Sequence, residues 1–508
     1  MGERPPFYVS TPIYYVNDVP HLGHAYTTVV ADALARFHRQ RGADVFFLTG
    51  TDEHGQKVAQ AAAKLGIPPL EHCDRMVRHF QGLWAKLGIS NDDFIRTTEA
   101  RHVRVVRGLL ASLMERGEIY KAAYEGWYCV PDERFWTDKD AQGGRCPDCG
   151  RELVRLAEEN YYFRMGRHRE WLTAHIEADP AFIQPESRRN EILGFLRQPL
   201  GDLCISRPKK RLSWGIELPF DPEYVTYVWF DALTNYITGP GYGTGDPRFE
   251  RFWPAAHHLV GKDILTTHAV YWPTMLHAGG IAPPRTIFAH GWWTIEGKKM
   301  SKSVGNVVDP GALADRYGVD ALRYFLMREV PFGPDGDFSR RALHGRINND
   351  LANDLGNLCS RVLAMSGKYL GGAVPAAASA DGPLARVAAE AAGEAEAAVA
   401  RIAPHAALGA IWTLVGQANK FVDDEKPWAL AKDPAARERL ERCLRGLLEA
   451  LRATAVLLWP FLPATGERIW RDLGLADSPA AVSPGGWDLL PPGTILRPSG
   501  PLFPRIEE

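Results

Sequence analysis

Two histidines, His21 and His24, flank Leu22 and Gly23 in "TPIYYVNDVPHLGHAYTTVVADALARFHRQ", residues 11–40, where a strand-like run gives way to a helix-like one. Three chemistries suit such a pair. As metal ligands the two lack the i, i+4 spacing that sets imidazoles on one helix face, and no third ligand is close in sequence. As structural residues they suit a helix start. As phosphate ligands they would flank Gly23, whose missing side chain leaves room for an anion at a helix N-terminus. A second stretch, "GKKMSKSVGNVVDP", residues 297–310, carries three lysines and two serines and closes on Gly305 and Asn306. Alone it reads as a solvated basic turn. Beside the histidine pair it reads as a lysine loop, with Lys299 and Lys302 able to close over a triphosphate and neutralise the charge that builds on departing pyrophosphate.

The elements around these stretches have to bring them together. "PFYVSTPIYYV" is rich in β-branched and aromatic residues and predicts a buried strand, followed after "NDVPHLGH" by an amphipathic helix ending near Arg41 and Gly42. "VFFLTGTDEHG" and "QKVAQAAAKLG" repeat that order. Such alternation predicts an α/β fold, a doubly wound parallel sheet of Rossmann type, with ligands beyond the carboxyl ends of the strands, where both polar turns fall. From Glu118 to about Val225 short strands, Trp, Tyr and a "CPDCG" turn read as an insertion splitting the sheet. Alternation resumes with "YVTYVWFDALTNYI", "HHLVGKDILTTHAVYWPTML" and "RTIFAHGWW". After Asp337 the strands stop. Leu351, Leu355, Leu358 and Val362 keep helical spacing, and alanine-rich segments predict a bundle of about five helices to Leu473, then a Pro/Gly-rich tail. The expected organisation is 1–117 and 226–290 for the split catalytic fold, 118–225 for the insertion, 291–343 for the lysine loop and its surroundings, and 344–508 for the bundle and tail.

Bulk properties set limits. The 508 residues allow roughly three domains. A formal charge of −2 excludes a uniformly basic nucleic-acid coat while leaving room for one local basic face. No run reaches the ~18 apolar residues of a membrane helix, and "MGERPPFYVS" lacks a signal-peptide core, so no membrane and a cytoplasmic location are expected. Seven cysteines, with only Cys146 and Cys149 close together, do not form a disulfide framework.

"HLGH" and "KMSKS", in this order and bracketing a split nucleotide-binding fold, resemble the two signatures of class I aminoacyl-tRNA synthetases. "TPIYYVNDVPHLGHAY", "LTGTDEHGQK", "YVWFDALTNY", "LVGKDILTTHAVYWP" and "GKKMSKSVGNVVDP" resemble the methionyl-tRNA synthetases in particular, over nearly the whole chain. That resemblance implies a two-step ligase: methionine and ATP, with Mg²⁺, give methionyl-adenylate and pyrophosphate, and the acyl group then passes to methionine tRNA, initiator and elongator alike. No covalent nucleophile is needed, so positioning and charge stabilisation do the catalytic work. It implies phosphate contacts for His21 and His24, pyrophosphate contacts for Lys299 and Lys302, and a nucleotide site at Gly23, Gly261, Asp263 and His290. A helix-capping role for Asp263 stands beside ribose binding.

Methionine is flexible and polarizable, and its sulfur favours aromatic edges. Positions matching the family's pocket are Ile13, Tyr15, Trp229, Ala232, Leu233, Tyr236, Ile264, His268 and Trp272; several would read as core residues by themselves. Asp52, after "VFFLTGT", suits the substrate ammonium, with an Asx-turn as its other reading. The insertion is too short for the large editing domain of the isoleucine, valine and leucine enzymes, so homocysteine would be rejected in the synthetic site. "YCVPDERF" and "RCPDCG" space Cys129, Asp132, Cys146 and Cys149 as two x₂ pairs, where the family often has four cysteines around a structural zinc; Asp132 stands in for one of them, and a carboxylate oxygen can complete such a site, with a tight turn carrying free thiols as the other reading, since some members of the family lack the metal. Asn419 and Trp428 in "QANKFVDDEKPWAL" match the family's anticodon-binding segment, and Trp487 in "GGWDLLPP" offers a second contact; RNA contact is expected of Asn419 and Trp487, and helix packing after Pro427 of Trp428. No appended dimerising module is seen, so a monomer is expected. Competing readings are a synthetase for another amino acid, a noncatalytic tRNA-binding relative, and a zinc enzyme.

Overall fold

The computed structural model describes residues 4–130, 134–136, 140–147, 149–295, 297–299, 307–376 and 382–507. Three strands open the chain, β1 (Pro6–Tyr15), β2 (Asp44–Asp52) and β3 (Asp93–Arg96). β1 buries Phe7 through Thr11 without a break, which suits a strand covered on both faces. The six-stranded sheet runs β3, β2, β1, Ala256–Gly261, Thr286–His290, Ile183–Gln184, and every pair in it is parallel. β2 and β3 lie on one side of β1 and the later strands on the other. The order therefore reverses at β1, and a crevice opens there at the carboxyl ends.

Two expectations change in detail. Ile183–Gln184 falls inside the stretch read as insertion, yet it pairs with Ile287 and Phe288 of the central sheet. Two residues are too few to show any periodicity. "YVTYVWFDALTNYI" contributes no strand to that sheet: Asp221–Thr226 pairs antiparallel with Ser206–Pro208, and Val228–Leu233 and Asn235–Thr238 are helical. A short run that is apolar all round cannot be told from a buried helix by pattern alone. The insertion proper is a long antiparallel hairpin, Ile119–Cys129 with Val154–Phe163, flanked by Arg134–Trp136 and Leu203–Cys204.

Beyond Phe338 helices dominate: Arg340–Leu370, continuous through a π-helical stretch at Arg346–Gly356, then Pro383–Ala400, Pro404–Glu425, Arg437–Leu458 and Pro463–Asp472. Leu351, Leu355, Leu358 and Val362 are all fully buried, on the stripe their spacing predicts. One helix ties the two halves. α1 (Leu22–Gln40) begins at the histidine pair, and its far end lies on the bundle, where Gln40 Nε2 donates to the carbonyls of Val456 and Pro479. Midway, Asp32 meets Arg323 at 2.7 Å with both side chains fully buried. Among the described residues no helix is long and apolar enough to cross a membrane.

Candidate active site

His21 is the N-cap of α1, in extended backbone conformation, and its Nδ1 accepts from the Gly23 amide at 3.1 Å. His24 reaches back, its Nδ1 accepting from the His21 amide at 3.2 Å. Two imidazoles thus build the reciprocal capping box that Ser and Glu usually form, with their rings stacked at 3.8 Å. A nitrogen that accepts carries no proton, so each neutral ring holds its proton on Nε2. Burial away from water, and then the adjacent His21, keep His24 well below the usual histidine range, so it is neutral at pH 7. Gly23 suits this cap, because a Cβ there would stand 3.0 Å from the His21 ring and push it aside by a few tenths of an ångström. The helix-start and ligand readings are therefore compatible: Nδ1 serves the helix and Nε2 carries the proton.

A single cavity of about 460 Å³ opens at the crevice. The end of β1 contributes Ile13 and Tyr15, the start of α1 His21, Gly23 and His24, and β2 ends on Asp52. Across from them lie Trp229, Ala232, Leu233 and Tyr236, then Gly261, Asp263, Ile264 and His268, then His290 at the end of its strand. Trp272 does not line it: fully buried, it backs Tyr236 at a ring distance of 6.1 Å.

Hydrogen bonds orient this lining. His268 Nδ1 donates to the Ile264 carbonyl at 2.8 Å, so its Nε2 accepts the Tyr236 hydroxyl at 2.7 Å. His290 repeats the device, with Nδ1 donating to Gly291 O and Nε2 facing the Thr27 hydroxyl at 2.7 Å. Burial pushes both rings down to about 4, so at neutral pH both are uncharged and keep these tautomers. Gly261 leaves space for Asp263, whose Oδ1 would be 2.6 Å from a Cβ there. The same oxygen accepts the Trp292 indole N–H at 3.1 Å. Thr27, Trp292, Trp293 and Lys57 also line the cavity and were missed in the sequence. Thr27 was within reach of inference, lying one turn past Gly23 on the same helix face.

Trp292 and Trp293 lead directly into the lysine loop. Thr294 and Ile295 pair with Lys299 and Lys298 in a small sheet that Gly336–Phe338 completes. Lys302 lies outside the described residues, as do the serines beside it.

A family model described as "tRNA synthetases class I (M)" matches residues 7–157 and 152–363. The chain is 50% identical over 505 residues to the methionine–tRNA ligase of Caldanaerobacter subterraneus, covering 99% of this chain and 79% of that protein. It is 46% identical over 527 residues to that of Bacillus subtilis, covering 99% and 78%. The chain belongs to the methionyl-tRNA synthetases. Two solved structures of the Mycobacterium tuberculosis methionyl-tRNA synthetase superpose on it. The complex with methionyl-adenylate has a TM-score of 0.93 at 46% identity, covering 99% of this chain and 100% of that one. The free state has 0.88 at 42% identity, covering 100% and 99%.

Away from the cavity, this methionyl-tRNA synthetase family member gathers three sulfurs. Cys129, Cys146 and Cys149 place their Sγ atoms within 4.8 Å of one another, with Cys129 and Cys149 3.4 Å apart. The turn that returns from Cys146 closes on Gly150 at φ 72°. Thiolates on one tetrahedral zinc, at ~2.3 Å from the metal, sit about 3.8 Å from each other, so these sulfurs fit a single ion. Asp132 lies outside the described residues. In the bundle Asn419 Nδ2 donates to the carbonyls of Asp354 and Val415, and Trp487 packs half-buried beside the helices Pro383–Ala400 and Arg437–Leu458. Trp428 corrects the core expectation: it is 38% exposed, because the buried Pro427 takes the inward face of that turn.

Proposed function

We propose that this chain attaches L-methionine to methionine tRNA, in initiator and elongator forms, through methionyl-adenylate, acting as a cytoplasmic monomer. The observation that carries the proposal is the convergence of the histidine pair, Asp52 and the aromatic wall on one cavity at the switch point of the sheet. In this reading Asp52 takes the substrate ammonium in a water-poor corner. Ile13, Tyr15, Trp229, Ala232, Leu233, Tyr236, Ile264 and His268 surround the side chain, with Trp272 supporting from behind. The neutral His268, locked by Ile264 and Tyr236, offers the thioether an uncharged surface.

Gly23, Gly261, Asp263 and His290 take the nucleotide. The methionine carboxylate oxygen attacks the α-phosphorus, a new O–P bond forms, and the bond to the bridging oxygen breaks as pyrophosphate leaves. His21 and His24 donate from Nε2 to the phosphates, a donor geometry their cap bonds impose. Lys299 and Lys302 meet the pyrophosphate side. Mg²⁺ bound with ATP would supply charge neutralisation between phosphate oxygens. The segments 1–117 and 226–290 form the catalytic fold, 118–225 the insertion, 291–343 the loop region and 344–508 the tRNA-binding bundle, where Asn419 and Trp487 face the anticodon.

Methionine-dependent ATP–pyrophosphate exchange tests this reading. Wild type is expected to exchange, Lys302→Ala to lose about a hundredfold or more in rate, and a His21→Ala, His24→Ala double variant to lose exchange with its zinc content unchanged. No stimulation of wild type by methionine would reject the assignment. We also propose that Cys129, Cys146 and Cys149 hold a structural zinc with Asp132 as fourth ligand. One zinc per chain by elemental analysis is expected, falling on Cys146→Ser; a metal-free wild type that keeps the same melting profile with and without chelator would contradict it.

A further inference from the structure

Behind the cavity wall, Asp231 sits 1% exposed between two imidazoles, its Oδ2 2.7 Å from His54 Nδ1 and its Oδ1 2.7 Å from His102 Nε2. None of the three lines the cavity. Burial works against charge on this carboxyl, and the two histidines more than offset it, holding Asp231 below its ordinary value. Position along the chain gives the cluster its interest. His54 follows Asp52 by two residues in the turn after β2, and Asp231 follows Trp229 by two in the helix Val228–Leu233. His102, on the helix Ala100–Glu115, braces the same carboxylate from beneath and has Thr238 Oγ1 at 3.3 Å from its other nitrogen.

The turn has little other freedom. The Trp214 indole donates to the Glu53 carbonyl at 2.6 Å, and the Glu53 carboxylate accepts two bonds from Arg96. The helix carrying Trp229, Ala232 and Leu233 is only six residues long, and Tyr227, its N-cap, offers no side-chain cap bond. A six-residue helix is too short to hold itself. Its placement against the Asp52 turn therefore depends on what its inner face grips, and Asp231 is the charged group on that face.

We propose that the His54–Asp231–His102 bridge is a gauge that fixes the distance between the carboxylate reading the amino-acid head group and the apolar wall reading its side chain, making Asp231 a positioning residue for substrate length. This rests on the assignment of Asp52 and Trp229 to the methionine site. Loosening the bridge shifts the wall against the anchor while the phosphate end, built on α1 and the Thr286–His290 strand, stays in place. Its signature is a selective loss on the amino-acid side.

The test compares wild type with Asp231→Asn, and with His54→Gln as a milder variant that leaves the His102 arm intact. Exchange assays give KM for methionine and for ATP, and the ratio of kcat/KM for methionine over its one-methylene-longer homologue ethionine. Asp231→Asn is expected to raise KM for methionine about tenfold, as loss of a buried charged hydrogen bond does, to leave KM for ATP within about twofold, and to shrink the methionine preference. Equal increases in both KM values, or an unchanged preference at a lowered melting temperature, would reduce the cluster to a structural brace and overturn the gauge. If Asp231→Asn does not fold, His54→Gln decides by the same readings. Wild type failing to exchange with methionine would reject the underlying assignment; wild type active with both variants unchanged would reject only the gauge.

Discussion

Arg323→Met is expected to destabilise the chain by about 3–5 kcal/mol, because it removes one partner of a buried ion pair and leaves Asp32 with only Arg36 and Ser90 to offset its charge. Arg323 and Asp32 are both fully buried. Arg323 also donates from Nε to the Phe461 carbonyl at 2.8 Å and from Nη1 to Leu87 O at 3.3 Å. The same substitution thus leaves carbonyls unpaired at the joint between α1 and the bundle. Urea unfolding followed by tryptophan fluorescence measures the loss in the first transition. Adding Asp32→Asn should recover part of it, since it removes the charge while the side-chain oxygen still accepts from Ser90. An Arg323→Met variant within 1 kcal/mol of wild type would show that the pair carries little of this joint.

The pH dependence has a definite sign. Burial raises the Asp32 carboxyl, but Arg323, Arg36 and the Ser90 hydrogen bonds outweigh it, so the folded value lies below the ordinary 3.8. A group depressed on folding contributes its stability above the unfolded value and loses it as pH falls through the folded one. Asp32→Asn should accordingly flatten the acid limb below about pH 4 and leave the slope near neutrality unchanged.

Asp52→Asn is expected to have the larger effect on activity. With Asp52 as the ammonium's partner, 8% exposed at the bottom of the cavity, the neutral amide leaves a desolvated cation short of its counter-charge. Truncating one member of a buried charge pair costs about 2–5 kcal/mol, which corresponds to roughly 30-fold or more in kcat/KM for methionine. KM for ATP should stay close to wild type, because the residues proposed for the nucleotide, Gly23, Gly261, Asp263 and His290, stand on other elements. Titration calorimetry with methionine alone provides a check independent of turnover. Equal methionine affinity in wild type and variant would remove Asp52 from the amino-acid site and, with it, the basis for the Asp231 gauge.

How far the site could be read in advance varied with the kind of signal. The capping pattern around His21 and the strands on either side of it follow from local chemistry, and "HLGH" contains both the cap and the glycine that allows it. The aromatic wall was legible only through family likeness, because Trp229, Tyr236 and Trp272 have the composition of ordinary core. Trp272 shows how narrow the margin is: it shares an apolar neighbourhood with the lining and stands one layer behind it. The Asp231 bridge left no pattern to find, since His54, His102 and Asp231 lie 48 and 129 residues apart along the chain. The two-residue strand at Ile183 was invisible for a different reason, being recognisable only from the partner strand beside it.

The amino-acid sequence by itself determined the alternation of strand and helix in the first half, the apolar stripe of the bundle, the histidine and lysine motifs and the family. Each of these is written in local spacing, and backbone geometry converts spacing into facing side chains. Tertiary structure alone decided which strands are neighbours across β1 and that one cavity gathers side chains from five separate stretches of chain. Those features depend on contacts between segments far apart in sequence, and burial patterns report that a side chain is covered without reporting what covers it.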